Sequence, residues 1–507
     1  MFAHLPPELY GCIVEHVDPQ TVLALTRCLP HAGIPLDRLF RAVAVRQPET
    51  APRLYRRLRA QTAPAAAHLV QHLAVDTWAV DADVLANLLP LLPSLRTLAR
   101  KKGHILPIPQ GTHARTAHAA AQRPQGSYFD STLHALSAWP RTPSVLSIVQ
   151  DSDSGADSTP ARFAQPIVFF RLDDALARLL HARASRALTA LRIRVPARPV
   201  AQPLAAAGAP ARLTFLDASA SRVSDADIDA LLARLPLRHL VLDACAGLLR
   251  QDGEWWAALG RRVVLVGVKR AREREKAVRK TWEEAYRARV RVRTAAGAAA
   301  GAGEEVPVQQ PEQRRAKRGR RGLASATVTL RRRSPSPSPS PSPHIATPAP
   351  APAHPASPPP LPPKIHIVPP LPSLESLSLS PPPGPGQGGM GATARAAFVR
   401  GWDEGMRVLW DVRARMGTTF ARVCAEGAAT ATAKARFFVF KDGDGEAELA
   451  GLDEVRSGEE GIFLRDATSA AAPPVLCLAG PDLAAGGHEP RCGHVVGREL
   501  GMECLSP

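Results

Sequence analysis

The chain has 507 residues, a hydrophobic fraction of 45% and a formal net charge of +18. This length predicts two to four domains, and the apolar fraction is sufficient for a sizeable core. Its seven cysteines are scattered and odd in number, which argues against a secreted disulfide framework. No apolar run reaches about 18 residues and no signal-peptide pattern follows Met1. We therefore expect an intracellular protein of the nucleus, the cytoplasm or both, without membrane contact.

Residues 1–48 are predicted to form three short amphipathic helices. In the first, apolar residues recur every four positions and share one face; they are Leu5, Leu9, Ile13 and Val17. Asp18-Pro19 ends this helix, and Pro30 ends a second one, which carries Val22, Leu25 and Leu29. The third has Leu36, Leu39, Phe40 and Val43 at helical spacing. So small a core is expected to depend on whatever the module docks on.

This first stretch resembles the F-box. The resemblance rests on Leu5-Pro6-Pro7-Glu8-Leu9, Ile13, Val17-Asp18 and Val22-Leu23-Ala24-Leu25 before Cys28. No Trp follows Thr26-Arg27-Cys28-Leu29-Pro30, where the family usually has one. The resemblance implies docking on a Skp-type adaptor and, through it, on a cullin scaffold. The adaptor-binding residues that it implies are Leu5, Pro6, Leu9, Ile13, Val17, Leu23 and Leu25. The alternative is a small helical cap on the domain that follows.

Residues 49–295 contain a repeated pattern in which three apolar residues are spaced by two and then by one other residue. It is clearest at Leu237, Leu240 and Leu242, with Cys245 at the position that takes Asn or Cys in leucine-rich repeats. Equivalent frames begin at Val70, Leu95, Leu188, Leu213 and Val263, and a weaker one begins at Val145. Apolar stripes typical of helices lie between them, in residues 84–89, 172–180 and 228–235.

A strand and a helix about every 25 residues predict a degenerate leucine-rich-repeat array, an α/β fold of the α+β solenoid type whose units share one core. An ordinary α/β domain with units of this length is the alternative. The stretch Arg100–Ser144 breaks the period and is predicted to be an inserted loop. The end of the array, from Leu237 through Trp255-Trp256 to Lys276, is similar to that of fungal F-box proteins.

Residues 269–293 are predicted to form a charged helix with acidic and basic residues four positions apart. Residues 296–394 are expected to be a disordered linker, because Pro, Ser, Ala and Gly bury too little apolar surface. Their basic runs, Arg314–Arg321 and Arg331–Arg333, favour either a nuclear-import signal or a solvated linker. The net charge fits an acidic partner such as nucleic acid, but no nucleic-acid-binding motif accompanies it, so this partner is the less favoured one.

Residues 395–507 are predicted to form a small α/β region of no assignable family. A helix is expected around Phe398–Trp410, and strands at Phe437–Phe440 and Val475–Leu478. The region holds a group of sulfur and imidazole side chains: Cys477, His488, Cys492, His494 and Cys504. Structural zinc sites usually show paired ligands about two to four residues apart, and here only Cys492 and His494 are close. We therefore interpret these residues as scattered structural ones and predict no metal site.

The sequence shows no nucleophile elbow, phosphate-binding loop or other catalytic motif. We therefore expect a binding protein without a cofactor rather than an enzyme. The expected function is that of a substrate-recruiting adaptor of an SCF-type ubiquitin ligase, whose repeats bind an unknown target protein. The alternative is a basic scaffold or nucleic-acid-associated protein whose F-box-like helices form a non-functional cap.

Overall fold

A computed structural model describes most of the chain between Pro6 and Met502. The described residues are 6–17, 19–29, 40–60, 64–76, 80–101, 125–141, 143–149, 172–206, 210, 212–248, 252–300, 364–380, 390–427, 435–441, 451–463, 472–480 and 487–502.

The described residues form helices and short strands that alternate along most of the chain. The strands are β1 Ala42–Val45, β2 His72–Val75, β3 Thr97–Lys101, β4 Val145–Val149, β5 Ala190–Arg194, β6 Phe215–Asp217, β7 His239–Val241, β8 Ile365–Ile367, β9 Ser376–Ser378, β10 Arg436–Phe440, β11 Leu452–Glu454 and β12 Val475–Cys477. The helices are α1 Pro7–His16, α2 Pro19–Cys28, α3 Thr50–Arg59, α4 Pro64–Leu69, α5 Ala82–Leu88, α6 Gln125–Ser137, α7 Leu172–His181, α8 Ala201–Ala205, α9 Asp225–Arg234, α10 Gly253–Ala300, α11 Met390–Gly427 and α12 Gly493–Glu499.

Nine of these strands form one parallel sheet, in which each strand pairs with the next of these nine along the chain. Their order is β1-β2-β3-β4-β5-β6-β7-β9-β12. Parallel neighbours need a crossover connection, and helices α3 to α9 supply the crossovers between β1 and β7. The protein is therefore a mixed α/β protein with a predominantly parallel sheet, as predicted at the level of fold class.

One apolar position runs across all nine strands. The register aligns Val43, Leu73, Leu98, Leu146, Leu191, Leu216, Leu240, Leu377 and Leu476. The eight leucines are at most 5% exposed. They share one core with inward-facing helix residues such as Leu85, Leu176 and Leu231, and we call it the leucine core. Burial of each such side chain stabilises the fold by about 1.5–3 kcal/mol, so this row of leucines is a major source of stability.

The turns that follow the strands also repeat. Ala197, Ala220 and Ala244 have left-handed φ angles of 57°, 61° and 50°. The amide of Ala197 donates to the Ala220 carbonyl at 3.0 Å, and the amide of Ala220 donates to that of Asp243 at 2.7 Å. The amide of Ala244 donates at 3.0 Å to the carbonyl of Ser380, which follows β9. The same stacking of turns thus continues from β7 to β9, although these strands lie far apart in sequence.

The strands predicted at Val70, Leu95, Leu188, Leu213 and Leu237 are confirmed as β2, β3, β5, β6 and β7. The weaker frame at Val145 lies in a strand, but its predicted register was wrong. Leu146 aligns with Leu98 of β3, and Val145 aligns with Thr97. Because alternate residues of a strand point to opposite faces, Leu146 and Ile148 enter the leucine core while Val145 faces the other side.

The strand frame predicted at Val263 was wrong, because these residues lie inside α10. The buried residues of this helix include Trp256, Leu259, Val263, Val264 and Val268. They recur at helical spacing. A step of three residues between apolar positions occurs both in a helix and in the repeat frame, so this step did not distinguish the two structures.

The inserted loop predicted for Arg100–Ser144 was wrong in part. Strand β3 extends to Lys101, and α6 occupies Gln125–Ser137. Leu133 and Leu136 of α6 are buried in the leucine core, so this helix belongs to the same repeating layer as α5 and α7. Residues 102–124 lie outside the described part of the chain.

Two predicted boundaries of the N-terminal half need correction. Val43 was assigned to a third N-terminal helix, but it lies in β1 and pairs with Leu73 of β2. The N-terminal module therefore ends before Ala42 and not at residue 48, and most of the predicted third helix, residues 30–39, is not described. In the predicted charged helix, two of the expected ion pairs are present, Lys280–Glu284 at 4.0 Å and Glu283–Arg287 at 3.4 Å.

The predicted linker, residues 296–394, was wrong at both ends, because α10 continues to Ala300 and the last part of the stretch contains two strands and the start of α11. Residues 365–367 and 376–378 form β8 and β9, and β9 pairs with β7 on one side and β12 on the other. The reason lies in Leu374, Leu377 and Leu379, which are all buried in the leucine core. They repeat the spacing of Leu237, Leu240 and Leu242, a signal that the surrounding Pro- and Ser-rich sequence obscures. Residues 301–363, with both basic runs, lie outside the description.

Residues 395–507 were predicted to form a region of their own, and this prediction was also wrong. The predicted helix and strands are present as α11, β10 and β12, but β12 extends the nine-stranded sheet. Strand β10 lies in a second sheet of the order β11-β10-β8. Aromatic residues fill a small core beside it: Phe420, Phe437 and Phe463.

Helices α10 and α11 contact each other through glycines. A Cβ atom on Gly401 would collide with the carbonyl oxygen of Ala257, and one on Gly260 would collide with that of Phe398. A Cβ on Gly405 would lie 2.9 Å from the Val264 Cβ. Because glycine has no side chain, the two helix backbones approach each other directly at these positions.

The chain divides into two units, residues 1–278 with 362–507, and residues 279–361. The first unit contains both sheets. Of the second unit, the structure describes the C-terminal part of α10. None of the helices among the described residues has the combination of length and apolarity that a membrane crossing requires.

Candidate functional site

The residues predicted to bind an adaptor lie on the N-terminal helix pair, α1 and α2. The two helices share a small core of Tyr10, Val14 and Val22. Val17, Leu25 and Leu29 pack against this core. The buried side of α1 therefore centres on Tyr10 and Val14, whereas Leu9 and Ile13, which the four-residue spacing had placed on one face with Val17, are less buried.

The predicted adaptor-binding residues accordingly differ in exposure. Leu9 is 48% exposed and Leu23 is 38% exposed. Pro6 is exposed just before α1, and Ile13 is half-buried. Val17 and Leu25 belong to the packing of the helix pair, and Leu5 lies outside the described residues. Among the predicted set, Leu9 and Leu23 are thus the large apolar side chains most available to a partner.

A second surface of interest is the face of the nine-stranded sheet that does not carry the leucine core. The C-terminal segment, residues 487–502, lies on it. A Cβ on Gly497 would lie 2.9 Å from Phe215 Cζ, so α12 approaches β6 closely. Met502 is buried in a cluster whose sheet residues come from β4 to β7: Val145, Ala190, Phe215 and Val241. The chain therefore covers this part of its own sheet.

A buried carboxylate is held on the same face by two arginines. Arg194 donates to Asp217 through Nε and Nη2, the latter at 2.7 Å from Oδ2. The Nε atom of Arg192 lies 3.0 Å from the same oxygen, and its Nη1 donates to the Met502 carbonyl at 2.8 Å. Burial alone would raise the pKa of Asp217, but the attraction of Arg194 and Arg192 is larger in sum and lowers it to about 2.

We expect this carboxylate to make the fold sensitive to acid. Because the pKa of Asp217 is lower in the folded than in the unfolded protein, its ionised carboxylate stabilises the fold at pH values above the unfolded pKa near 3.8. This stabilisation is lost as the pH falls through the folded-state pKa of about 2. The pKa difference corresponds to about 2 kcal/mol. Urea unfolding of the wild type and Asp217→Asn between pH 5 and pH 2 measures it. The stability difference between the two proteins should shrink by about this amount on acidification; a constant difference would contradict the prediction.

Four of the sulfur and imidazole residues converge at the start of the C-terminal segment. Cys477 ends β12, His488 precedes α12, Cys492 is the residue before the helix and His494 is in its first turn. We call these four residues the Cys–His cluster. Each offers one ligand atom, and these atoms all lie within 4.8 Å of one another. The interpretation of these residues as scattered was therefore wrong for these four, whereas Cys504 lies outside the described residues.

The distances within the Cys–His cluster are short and similar. The Cys477 Sγ lies 3.5 Å from the Nδ1 atoms of both His488 and His494. The Cys492 Sγ lies 3.5 Å from His488 Nδ1 and 4.0 Å from His494 Nδ1. Both sulfurs thus face both imidazole nitrogens.

A carboxylate on the neighbouring part of the sheet fixes one of the imidazoles. Asp243 follows β7 and is 2% exposed. Its Oδ2 lies 2.5 Å from His494 Nε2, and its Oδ1 accepts the amide hydrogen of Ser380 at 2.9 Å. An imidazole that donates from Nε2 to a carboxylate leaves Nδ1 as a lone-pair donor, and here Nδ1 faces the two sulfurs.

A chain of contacts from a cysteine to a histidine to an aspartate also occurs in enzymes with a nucleophilic cysteine. The burial of these side chains opposes a nucleophilic role here. Cys477, Cys492 and His494 are 1%, 0% and 6% exposed. Burial raises the pKa of the Cys477 thiol to about 12, whereas a catalytic cysteine needs a lowered pKa and access for a substrate. The arrangement is chemically suited to holding a cation with a closed set of ligands.

The chain matches no protein-family model and no curated protein sequence.

Proposed function

We propose that this protein is a substrate-recruiting adaptor subunit of an SCF-type ubiquitin ligase. In this proposal the N-terminal helix pair docks on a Skp-type adaptor, which connects it to the cullin scaffold. The observation that carries the proposal is the exposure of Leu9 and Leu23 on two adjoining short helices, within the stretch that resembles the F-box. Large apolar side chains at a binding surface gain free energy when a partner removes them from water.

The second part of the proposal is that the nine-stranded sheet and its helices are a degenerate leucine-rich-repeat solenoid. Its support is the succession of parallel strands in chain order and the leucine shared by all strands after β1. Cys245 occupies the Asn-or-Cys position of the repeat, and its Sγ lies 3.4 Å from the Ala218 carbonyl of the preceding turn. Such arrays bind partners over extended surfaces, which suits the recruitment of a target protein.

The C-terminal segment limits where a target binds. Because residues 487–502 cover the sheet face of β4 to β7, a target of this array contacts another part of the surface or displaces the segment. Catalysis belongs to the partner subunits in this proposal, and the contribution of the chain is proximity, which raises effective concentrations to the order of mM.

The test is a pull-down of the full chain by a purified Skp-type adaptor. We expect Leu9→Asp to weaken binding by about 2–3 kcal/mol or more, because a carboxylate would be buried without a partner. The matched control is Val399→Asp, which places the same charge on a different exposed apolar residue. Val399 lies in α11 and is 38% exposed. We expect this control to bind as the wild type does.

Two results would contradict the proposal. One is equal adaptor binding by wild type and Leu9→Asp, with circular dichroism showing that both are folded. The other is no adaptor binding by the wild type, which would leave a basic scaffold, the alternative, as the better explanation of the net charge of +18.

A further inference from the structure

We propose that Cys477, His488, Cys492 and His494 bind a single structural zinc ion, and that Asp243 positions His494 for this role. The inference is independent of the adaptor function. It rests on the geometry of the Cys–His cluster, the chemistry of its donor atoms and the burial of the site.

The distances fit tetrahedral zinc. With Zn–S bonds of about 2.3 Å and Zn–N bonds of about 2.0–2.1 Å, a sulfur and a nitrogen on one zinc ion are separated by about 3.6 Å. Three of the four sulfur–nitrogen distances in the cluster are 3.5 Å and the fourth is 4.0 Å. Four of the six edges of the required tetrahedron are therefore close to their expected length, and the sulfur–sulfur and nitrogen–nitrogen edges are at most 4.8 Å.

The donor set selects the metal. Two thiolates and two imidazoles in a tetrahedron are typical of zinc, whereas magnesium and calcium require oxygen ligands. With two deprotonated cysteines the complex is neutral, which reduces the free-energy cost of placing a divalent cation in a buried site. Four protein ligands leave no position for a substrate, which indicates a structural site rather than a catalytic one.

Asp243 acts on the metal through His494. Metal-bound histidines usually donate their other ring N–H to a carboxylate, which orients the ring and makes it a stronger ligand. The 2.5 Å contact between His494 Nε2 and Asp243 Oδ2 has this arrangement. Because Asp243 lies two residues after β7, its hydrogen bond connects His494, and with it the C-terminal segment, to the turn after an internal strand of the sheet.

Zinc binding would therefore fix α12 on the face of the sheet. Cys477 comes from the last strand and His488 lies between that strand and α12, while the other two ligands come from the helix and its first flanking residue. A single ion thus joins the end of the array to the segment that covers β4 to β7. Removing the ion should loosen this segment while the leucine core remains packed.

The first experiment measures zinc by mass spectrometry in the full chain, purified from zinc-supplemented cells and desalted. We expect about one zinc ion per chain for the wild type, and less than about a tenth of that for Cys492→Ser. The matched control is Cys12→Ser, which changes an exposed cysteine outside the cluster and should keep its zinc. His488→Ala is a second variant, since His488 is only half-buried and its loss should weaken zinc binding without opening the core.

A second measurement uses the wild-type fold itself. Replacing zinc by cobalt should give the visible bands of tetrahedral Co²⁺ and thiolate-to-metal charge transfer in the near ultraviolet. Asp243→Asn should lower zinc affinity by about 10–100-fold, because it removes the carboxylate behind His494 but no metal ligand.

Three outcomes would overturn the proposal. The first is a folded wild type that neither retains zinc nor gives the cobalt spectrum. The second is zinc content unchanged in both Cys492→Ser and His488→Ala. The third is a mass of the chain, measured without reducing agent, that is two hydrogen atoms below the mass of the fully reduced chain. Such a loss would indicate a disulfide between Cys477 and Cys492.

Discussion

Replacing Gly401 by valine is expected to destabilise the protein by at least about 3 kcal/mol, because the new side chain has no space. Its Cβ would collide with the carbonyl oxygen of Ala257, a backbone atom that cannot rotate away. The cost therefore includes separation of α10 from α11 and the loss of packing around Trp402, which is 1% exposed. Thermal unfolding followed by circular dichroism measures the effect.

The matched control for this substitution is Gly391→Ala. Gly391 lies in the same helix, and a Cβ there would meet no atom within 4 Å. Alanine has the higher helix propensity by up to about 1 kcal/mol, so this variant should melt at the same temperature as the wild type or slightly higher. Equal melting of Gly401→Val and Gly391→Ala would show that the two helices do not contact each other as described.

Replacing Leu377 by alanine should lower the free energy of unfolding by about 2–5 kcal/mol. This residue is 0% exposed and aligns with Leu240 and Leu476 in the row of leucines. Its removal leaves a cavity between β7 and β12 that a sheet held on both sides cannot close fully. Urea unfolding of the full chain, with Leu216→Ala as the reference substitution, measures the loss.

The comparison is informative because Leu377 and Leu216 lie in sequence of very different character. Leu216 belongs to the regular repeats, whereas Leu377 lies in a Pro- and Ser-rich stretch that composition alone assigns to a linker. We expect similar losses for both, and a change within about 0.5 kcal/mol for Val399→Ala on the surface. A neutral Leu377→Ala beside a costly Leu216→Ala would mean that β9 is not an integral strand of the sheet.

The regular part of the fold could be predicted because its signal is local. From Leu188 to Leu242, one strand and one helix recur about every 25 residues, and each apolar position can be identified within its own repeat. The later strands could not be placed in the same way. Leu374, Leu377 and Leu379 have the spacing of the repeat, but only tertiary pairing shows that they continue the sheet from β7.

The Cys–His cluster escaped prediction for a related reason. Its ligands come from the end of a strand, a connecting stretch and the start of a helix, so their separation in sequence says little about their separation in space. Asp243 was missed because no sequence pattern links it to His494. A buried carboxylate two residues after a strand needs a polar partner, and that requirement is the signal that could have drawn attention to it.

The long gap between β7 and β9 affects how the chain is made. His239 and Ser376, partners in neighbouring strands, are 137 residues apart. At a synthesis rate of about 5–20 residues per second, the edge of β7 stays unpaired on the ribosome for on the order of 10 s. An unpaired parallel edge can recruit strands of other chains, so nascent copies are prone to mispairing during this interval. Overproduction with a slowed translation rate should therefore favour aggregates, and folding helpers that shield an open sheet edge should relieve them.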